Sequence, residues 1–444
     1  MASSLFDAAS PQLVVLDRRS SGARFRPVIA LQAAMLLLLT GNLVRVPLWA
    51  AAGRAVPLLV SDIAAVGLLG IGLVAAVHRR SLRLDTVALI GLAFATLGVV
   101  SALASVSQFG LTFRELGMAL AQLARWLLYF GVYVVAINNI HERDVHAVWQ
   151  ALERCVLAFA LFGIAQAAFL PGFAQLVYPE SRPNVDWDMQ GHRLVSTLLD
   201  PNYAGALILI ALLVEVALLA SGKKVAIWKP ILLFAAIIIT ASRGSLLALI
   251  VGLGVIVLTR GRSKKLLWIM GVLVVGTALA LPKLLQFGAA FNKLRLDDPS
   301  ALARLVSWAH AWTVFRDHPL IGIGFNTWSV VQGRYGWQQA AGAVFGIDGG
   351  LIFIAVLTGI AGVTLYCVMI GAAVLRARSV WRNPLQSAEH RGLAVGAAAV
   401  SVALVVHSLF TNSLLLPFVM EPLWVLWALG FVMARSATRN TGSA

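Results

Sequence analysis

The chain has 444 residues, of which 60% are hydrophobic and only 12% charged, and its formal net charge is +16. A soluble domain carries roughly twice that share of charge, so the composition excludes an ordinary soluble protein. The positive charge does not indicate nucleic-acid binding, because most lysines and arginines lie in short connections between apolar runs and no nucleic-acid-binding motif is present. Cys155 and Cys367 both lie inside apolar runs, which disfavours a disulfide framework or a cysteine-based metal site.

Long apolar runs dominate the chain, and a helix of about 20 such residues is long enough to cross a membrane. These helices satisfy their own backbone hydrogen bonds, as lipid requires. We therefore predict an all-α polytopic membrane protein with about twelve transmembrane helices. In chain order, the predicted spans cover residues 28–44, 56–77, 86–106, 115–137, 147–170, 201–220, 229–241, 244–258, 266–282, 347–374, 392–414 and 416–434.

Basic clusters in the connections predict the orientation of these spans. With about twelve spans, every such cluster falls on one side of the membrane, which the positive-inside rule identifies as the cytoplasm. Residues 1–27 and 435–444 are then cytoplasmic tails of a transmembrane domain over residues 28–434, and the first 26 residues lack a signal-peptide cleavage pattern. The clusters lie around Arg18, Arg79, Arg143, Lys223, Arg262, Arg378 and Arg435.

Two connections on the opposite, outward side are long, over residues 171–200 and 283–346, and long loops of this kind are often functional. The second contains a predicted helix, which Asp298 caps, Pro299 begins and Pro319 stops. Its apolar residues recur at spacings of three and four, which predicts a stripe that lies on the membrane surface or on the helix bundle. The stripe consists of Leu302, Leu305, Ala309, Trp312 and Phe315.

Three arginines lie at outward positions beside apolar segments. Arg193 precedes the opening of the sixth span at Asp200-Pro201-Asn202, Arg243 lies in the tight turn between the seventh and eighth spans, and Arg304 lies in the loop helix. A guanidinium stays charged and can bond two oxygens at once, so this set predicts a diphosphate-binding site. The alternative is that each arginine only extends to the membrane surface or bonds a lipid phosphate.

Asp348 is the strongest single candidate for a catalytic residue. It lies at the outward end of the predicted tenth span, just before Gly349 and Gly350. The glycines allow close approach, and the carboxylate could accept a proton from an attacking sugar hydroxyl. The alternative role is a helix N-cap, and the two roles are compatible.

Other ionisable groups near the outer ends of the spans are interpreted as structural. Asp62 and Glu421 are expected to pair with Arg45 or Arg125. His318 lies directly before Pro319, which favours a helix-end residue over a base.

In chain order, these residues resemble the O-antigen ligase and polymerase superfamily of bacterial envelope glycan enzymes, over about residues 190–365. The ligases carry a His at the catalytic position, whereas counting back from Gly359 gives Asp348 here, and this difference favours a polymerase. The resemblance is carried by Arg193 with Pro201-Asn202, by Ala241-Ser242-Arg243-Gly244, by Arg304 followed by His318-Pro319-Leu320-Ile321-Gly322-Ile323-Gly324-Phe325, and by Thr358-Gly359-Ile360-Ala361-Gly362.

The resemblance implies a GT-C-like membrane glycosyltransferase of the bacterial inner membrane whose active site faces the periplasm. Its donor would be a glycan on undecaprenyl diphosphate. Its acceptor would be a sugar hydroxyl, either of a second lipid-linked repeat for a polymerase or of lipid A core for a ligase. A polymerase would work beside a glycan flippase and a chain-length regulator.

The resemblance also implies catalysis without a metal ion or other cofactor, with arginines neutralising the diphosphate. Arg243 and Arg304 would hold the diphosphate, and Asp348 would orient or deprotonate the acceptor. Arg193, Asn202 and His318 would complete the substrate site. A transporter of lipid-linked substrate without chemistry is the alternative of another class, and the motif run in the long outward loop argues against it.

Overall fold

The computed structural model describes residues 27–51, 54–179, 192–260, 271, 275–276, 299–337 and 347–441. These residues are mostly helical, with one short β-hairpin near the N-terminus. The elements are α1 (Pro27–Leu38), β1 (Arg45–Ala51), β2 (Arg54–Leu59), α2 (Val60–Arg79), α3 (Thr86–Phe109), α4 (Phe113–Asn139), α5 (Val145–Phe169), α6 (Phe173–Val177), α7 (Pro201–Ala220), α8 (Trp228–Thr240), α9 (Arg243–Arg260), α10 (Pro299–Asp317), α11 (Trp328–Arg334), α12 (Gly350–Arg382), α13 (Ala388–His407) and α14 (Pro417–Thr441).

Within the described ranges, nine helices are long and apolar enough to cross a membrane, namely α2, α3, α4, α5, α7, α9, α12, α13 and α14. The helices α1 and α8 are apolar but shorter. The predicted class, an all-α polytopic membrane protein, is confirmed. The predicted span 266–282 lies almost wholly outside the described residues, so the count of about twelve spans stays a prediction. The helices α7 and α14 are the most buried and form the centre of the bundle.

Several predicted span boundaries differ from the helix ends, and two of them have a visible structural cause. The span predicted from residue 56 begins at Val60, because residues 54–59 form β2, which pairs antiparallel with β1. The Asp62 carboxylate accepts a hydrogen bond from the Leu59 backbone N–H at 2.8 Å, which fixes the start of α2. The span predicted to reach residue 414 ends at His407, and a loop with one short 3₁₀ turn connects α13 to α14.

The predicted loop helix forms from Pro299 to Asp317, while its proposed cap Asp298 lies outside the described residues. Its predicted stripe packs on the bundle only in part, since Leu305 and Trp312 are exposed while Phe315 packs against the core. The buried side of α10 carries Ala311 and Val314. The exposure of Leu305 and Trp312 agrees with a location at the membrane surface.

The helix α12 is interrupted at Gly359, whose backbone adopts φ 67° and ψ −168°. The segment 319–324 fills the interruption and pairs with the freed backbone groups. Ile323 N–H donates to the Val356 carbonyl at 3.0 Å, and Ile360 N–H donates to the Pro319 carbonyl at 2.8 Å. This docking fixes the C-terminal end of α10 against the middle of α12.

Glycines are required at this contact because backbone meets backbone. A Cβ added at Gly359 would lie 2.2 Å from the Leu320 carbonyl oxygen, and one at Gly322 would lie 2.5 Å from Thr358 N. Both glycines also have positive φ. The Pro-Leu-Ile-Gly-Ile-Gly run and the Thr-Gly pair of the sequence are therefore two halves of one structural joint.

Candidate active site

Arg304 and Asp348 form an ion pair where α10 meets the start of α12. The Arg304 Nε atom lies 3.5 Å from Asp348 Oδ2. Arg304 is mostly buried, with 23% of its side chain exposed, whereas Asp348 exposes 53%. Arg304 Nε is shielded from solvent and makes no hydrogen bond within the described residues. The guanidinium is thus held beside the carboxylate as an ion pair, while this donor remains without a hydrogen bond.

Trp308 and Gly349 hold the Asp348 backbone in place. The Trp308 indole N–H, one helical turn after Arg304, donates to the Asp348 carbonyl at 2.6 Å. Gly349 has φ 124°, a conformation that glycine adopts at little cost, and it lies between Trp308 and the Leu409 carbonyl. One face of α10 therefore fixes both the arginine and the backbone of the aspartate.

The pKa of the Asp348 carboxyl is raised above its ordinary value. Partial burial disfavours the carboxylate more than the positive charge of Arg304 favours it. A raised pKa makes the carboxylate a stronger base, which suits a group that accepts a proton from a hydroxyl.

The turn that carries Arg243 is tied to the beginning of α7. Ala241 adopts the left-handed conformation at φ 50°, which reverses the chain between α8 and α9. The Ser242 hydroxyl donates to the Asn202 side-chain carbonyl at 3.0 Å, and the Ser245 hydroxyl lies 3.0 Å from Ser242 Oγ. Arg243 itself is exposed beside these buried groups.

His407 connects the Arg243 turn to the loop that supports Asp348. Its Nε2 atom lies 3.1 Å from Ser245 Oγ, and its Nδ1 atom lies 3.0 Å from Thr411 Oγ1 and also contacts Ser413. The same loop accepts two hydrogen bonds from Gly350 N–H, at the carbonyls of residues 408 and 411. A continuous hydrogen-bonded path thus joins the Arg243 turn to the residues just after Asp348.

Arg193 and Asn202 lie near this turn and hydrogen-bond to it. Arg193 Nε donates to the Thr240 carbonyl at 2.9 Å, two residues before Ser242. Asp200 caps α7 by accepting from the N–H groups of Asn202 and Tyr203.

The two histidines of α10 lie away from the ion pair. His318 packs edge-on against Phe109, with ring centroids 5.0 Å apart, and it lies fourteen residues from Arg304 along the helix and its end. His310 stacks on Trp337 at 3.9 Å, and burial lowers its pKa. The structure therefore brings Arg304 and Asp348 together and places Arg193, Asn202 and the Arg243 turn next to one another, but it does not bring His318 to either group.

The structural interpretation of Asp62 is confirmed by a bidentate ion pair with Arg125. Arg125 Nε and Nη2 donate to the two carboxylate oxygens at 3.0 and 2.8 Å. Glu421, the other carboxylate of that interpretation, is buried in α14, and no ion pair to it is seen among the described residues, so its predicted pairing is not confirmed.

Sequence reasoning did not assign a role to Trp308, Ser245 or His407. The only available signal for Trp308 was its position four residues after Arg304, on the same helical face. His407 and Ser245 are separated by 162 residues, so no local pattern could reveal their contact.

Taken together, fold and site define a multi-pass helical membrane protein whose candidate reactive groups gather at one end of the bundle. Residues 231–367 match the family model described as O-antigen ligase. This match supports the resemblance to the O-antigen ligase and polymerase superfamily that the motifs predict. Arg243, Arg304 and Asp348 lie inside the matched segment. Among curated proteins, no sequence matches the chain.

Proposed function

We propose that the chain is a glycosyltransferase of the bacterial inner membrane, acting as a repeat-unit polymerase for O-antigen or exopolysaccharide. It would transfer a glycan from undecaprenyl diphosphate to a sugar hydroxyl of a second lipid-linked repeat on the periplasmic side. The Arg304–Asp348 pair carries this proposal, because it places a cation with an available donor beside a carboxylate of raised pKa.

In the proposed reaction, the acceptor hydroxyl oxygen forms a bond to the anomeric carbon of the donor. The bond from that carbon to the diphosphate oxygen breaks, with inversion at the carbon. The Asp348 carboxylate accepts the hydroxyl proton, while Arg243 and Arg304 neutralise the charge that develops on the diphosphate. No metal ion is needed in this scheme, since the guanidinium groups supply the positive charge.

Transfer to lipid A core is the second candidate function, favoured by the ligase description of the matched family model. The polymerase is preferred because Asp348 occupies the position at which ligases carry His. Both candidates use the same donor and the same leaving group, so the site geometry supports either one.

The test is a reconstituted transfer reaction with the purified protein in liposomes and a labelled lipid-diphosphate glycan. Either a second lipid-linked repeat or lipid A core is supplied as acceptor. Chain growth supports the polymerase, and transfer to lipid A core supports the ligase. If the protein binds the donor but never releases lipid diphosphate, a transporter without chemistry replaces both candidates.

A further inference from the structure

Two arginines meet at the end of the bundle opposite Asp348, which we call the basic end. Arg260 is the last residue of α9, and Arg391 lies in the first turn of α13, which packs against α9. The two helices run antiparallel, with Ser245 Oγ 3.1 Å from His407 Nε2 at their other ends. Arg260 lies fifteen residues after Ser245 and Arg391 lies sixteen residues before His407, so the two like charges lie at the same level of the packed pair. Like charges at short distance repel, and this repulsion is stronger where water is excluded.

Several donors of this pair are buried without a partner. Among the described residues, no hydrogen-bond acceptor lies within reach of Arg260 Nε, Arg260 Nη2 or Arg391 Nε, and all three atoms are shielded from solvent. A buried donor that makes no hydrogen bond costs free energy, and the cost is larger for a charged group. The pair therefore has positive charge and buried donors, which are the features of an anion-binding site.

Several partly buried cations of the basic end are paired with carboxylates, which distinguishes them from Arg260 and Arg391. Arg376 pairs with Asp85, and Lys229 pairs with Glu153. Glu389, the acidic residue nearest to Arg391 in the sequence, contacts Lys223 and His146. The ten residues that follow Arg260 contain no Asp or Glu and add Arg262, Lys264 and Lys265.

We propose that Arg260 and Arg391 together bind the phosphate group of an anionic phospholipid. Two guanidinium forks suit phosphate, because each can donate to two of its oxygens. A lipid is favoured over free phosphate because Leu258, two residues before Arg260, is 87% exposed on a membrane-spanning helix. Basic pockets between transmembrane helices at the cytoplasmic side are suited to such headgroups. This site is separate from the proposed glycan chemistry and does not depend on it.

The test is native mass spectrometry of the protein after incubation with equal amounts of phosphatidylglycerol and phosphatidylcholine. The test variant is Arg260→Gln with Arg391→Gln. The matched control is Arg378→Gln with Arg382→Gln, which removes the same charge from exposed side chains at the basic end of α12. We expect wild type and control to retain phosphatidylglycerol preferentially, and the test variant to lose this preference at least tenfold. Equal retention by the test variant, or no preference in wild type, overturns the proposal.

Two further arms keep the proposal falsifiable if the double glutamine variant folds poorly. The variant Arg260→Lys with Arg391→Lys keeps both charges but lacks the planar guanidinium groups, so we expect it to fold and to lose most of the preference for phosphatidylglycerol. Full retention of that preference contradicts a site made of two guanidinium groups.

The midpoint of thermal unfolding of the wild type in detergent should rise with phosphatidylglycerol, but not with inorganic phosphate at equal concentration. An equal shift with inorganic phosphate would overturn the lipid as the ligand.

Discussion

At the residue scale, the different environments of Arg304 and Arg316 distinguish an arginine suited to bind a ligand from a surface arginine. Arg304 has a buried donor without a partner among the described residues and lies 3.5 Å from Asp348. Arg316, twelve residues further along α10, exposes 70% of its side chain and contacts only its neighbour Asp317 among the ion pairs of the described residues. Two arginines of one helix thus have different environments, and only the first suits a role in catalysis.

We predict that Arg304→Ala and Arg243→Ala each lower the rate of glycan transfer at least 100-fold. A charge-assisted hydrogen bond to the leaving group contributes about 1.5–3 kcal/mol, and loss of transition-state stabilisation adds to this effect. Transfer rates in liposomes provide the measurement, with Arg316→Ala and the exposed Arg114→Ala as matched controls of near wild-type rate. Wild-type turnover in either test variant would remove that arginine from the site.

Asp348 gives a prediction about pH. The base acts as a carboxylate, so the transfer rate should fall as pH decreases through its pKa, which lies above that of an ordinary aspartate. Asp348→Asn should lower the transfer rate by about 10²–10⁴-fold and abolish the fall in rate at low pH. Asp348→Glu should retain part of the rate and part of its dependence on pH. An unchanged pH profile in Asp348→Asn would assign Asp348 to helix capping alone.

At the element scale, the joint between segment 319–324 and the interrupted α12 determines the site geometry. It anchors the C-terminal end of α10, and therefore the direction in which Arg304 and Trp308 project toward Asp348. The resemblance identified the Pro-Leu-Ile-Gly-Ile-Gly run as its most specific part. The structure gives that run a physical role, which is backbone pairing in a gap that no side chain can enter.

We predict that Gly359→Ala destabilises the protein by about 1–3 kcal/mol or more, from a positive φ together with a clash against the Leu320 carbonyl. It should also lower transfer, because α10 loses its anchor. Gly371→Ala is the control in the same helix, since its added Cβ meets no heavy atom within 4 Å. Thermal unfolding in detergent compares the two. Equal stability of both variants would contradict the account of the joint.

The sequence predicts which helices are present far better than it predicts the residues at which they begin and end. Apolar runs are enough to locate α2 through α5, and Pro299 and Pro319 bound α10 within a residue or two. The hairpin of β1 and β2 and the early end of α13 escape prediction, because apolar residues continue across both boundaries. Composition cannot distinguish an apolar strand or loop from an apolar helix when tertiary contacts decide between them.

The candidate site is predictable only in part, because residues that meet in the fold are far apart in the sequence. Residue type and position make Arg304 and Asp348 candidates, and the structure adds that they meet across 44 positions of sequence. His318 shows the opposite case, since its motif position suggests the site while its ring packs against Phe109. Partners such as His407 and Ser245 come from distant helices, so only the fold reveals them.

At the scale of the whole molecule, the proposed periplasmic transferase requires that the Asp348 end and the basic end face opposite sides of the membrane. We predict that, after both native cysteines are replaced by serine, Arg316→Cys reacts with a membrane-impermeant maleimide in intact cells with a permeable outer membrane. Arg378→Cys at the basic end should react only after lysis. The reverse labelling pattern would place the site in the cytoplasm and exclude a periplasmic transferase.

The separation of the two ends also separates the two anion sites of the account. Arg243 and Arg304 lie at the Asp348 end, while Arg260 and Arg391 lie at the other end of the same bundle. The two pairs also differ in their neighbours, since Arg304 lies beside the Asp348 carboxylate, whereas Arg260 and Arg391 lie at the same level of two packed helices.

The central claim is that Arg243 and Arg304 hold a lipid diphosphate, and binding affinity tests it without relying on turnover. The measurement compares the affinity of the purified protein for an undecaprenyl-diphosphate glycan with its affinity for the monophosphate counterpart. We predict that wild type and Arg316→Ala prefer the diphosphate at least tenfold, since each added charge-assisted hydrogen bond contributes about 1.5–3 kcal/mol, and that Arg304→Ala and Arg243→Ala lose this preference. An undiminished diphosphate preference in both variants would contradict the claim.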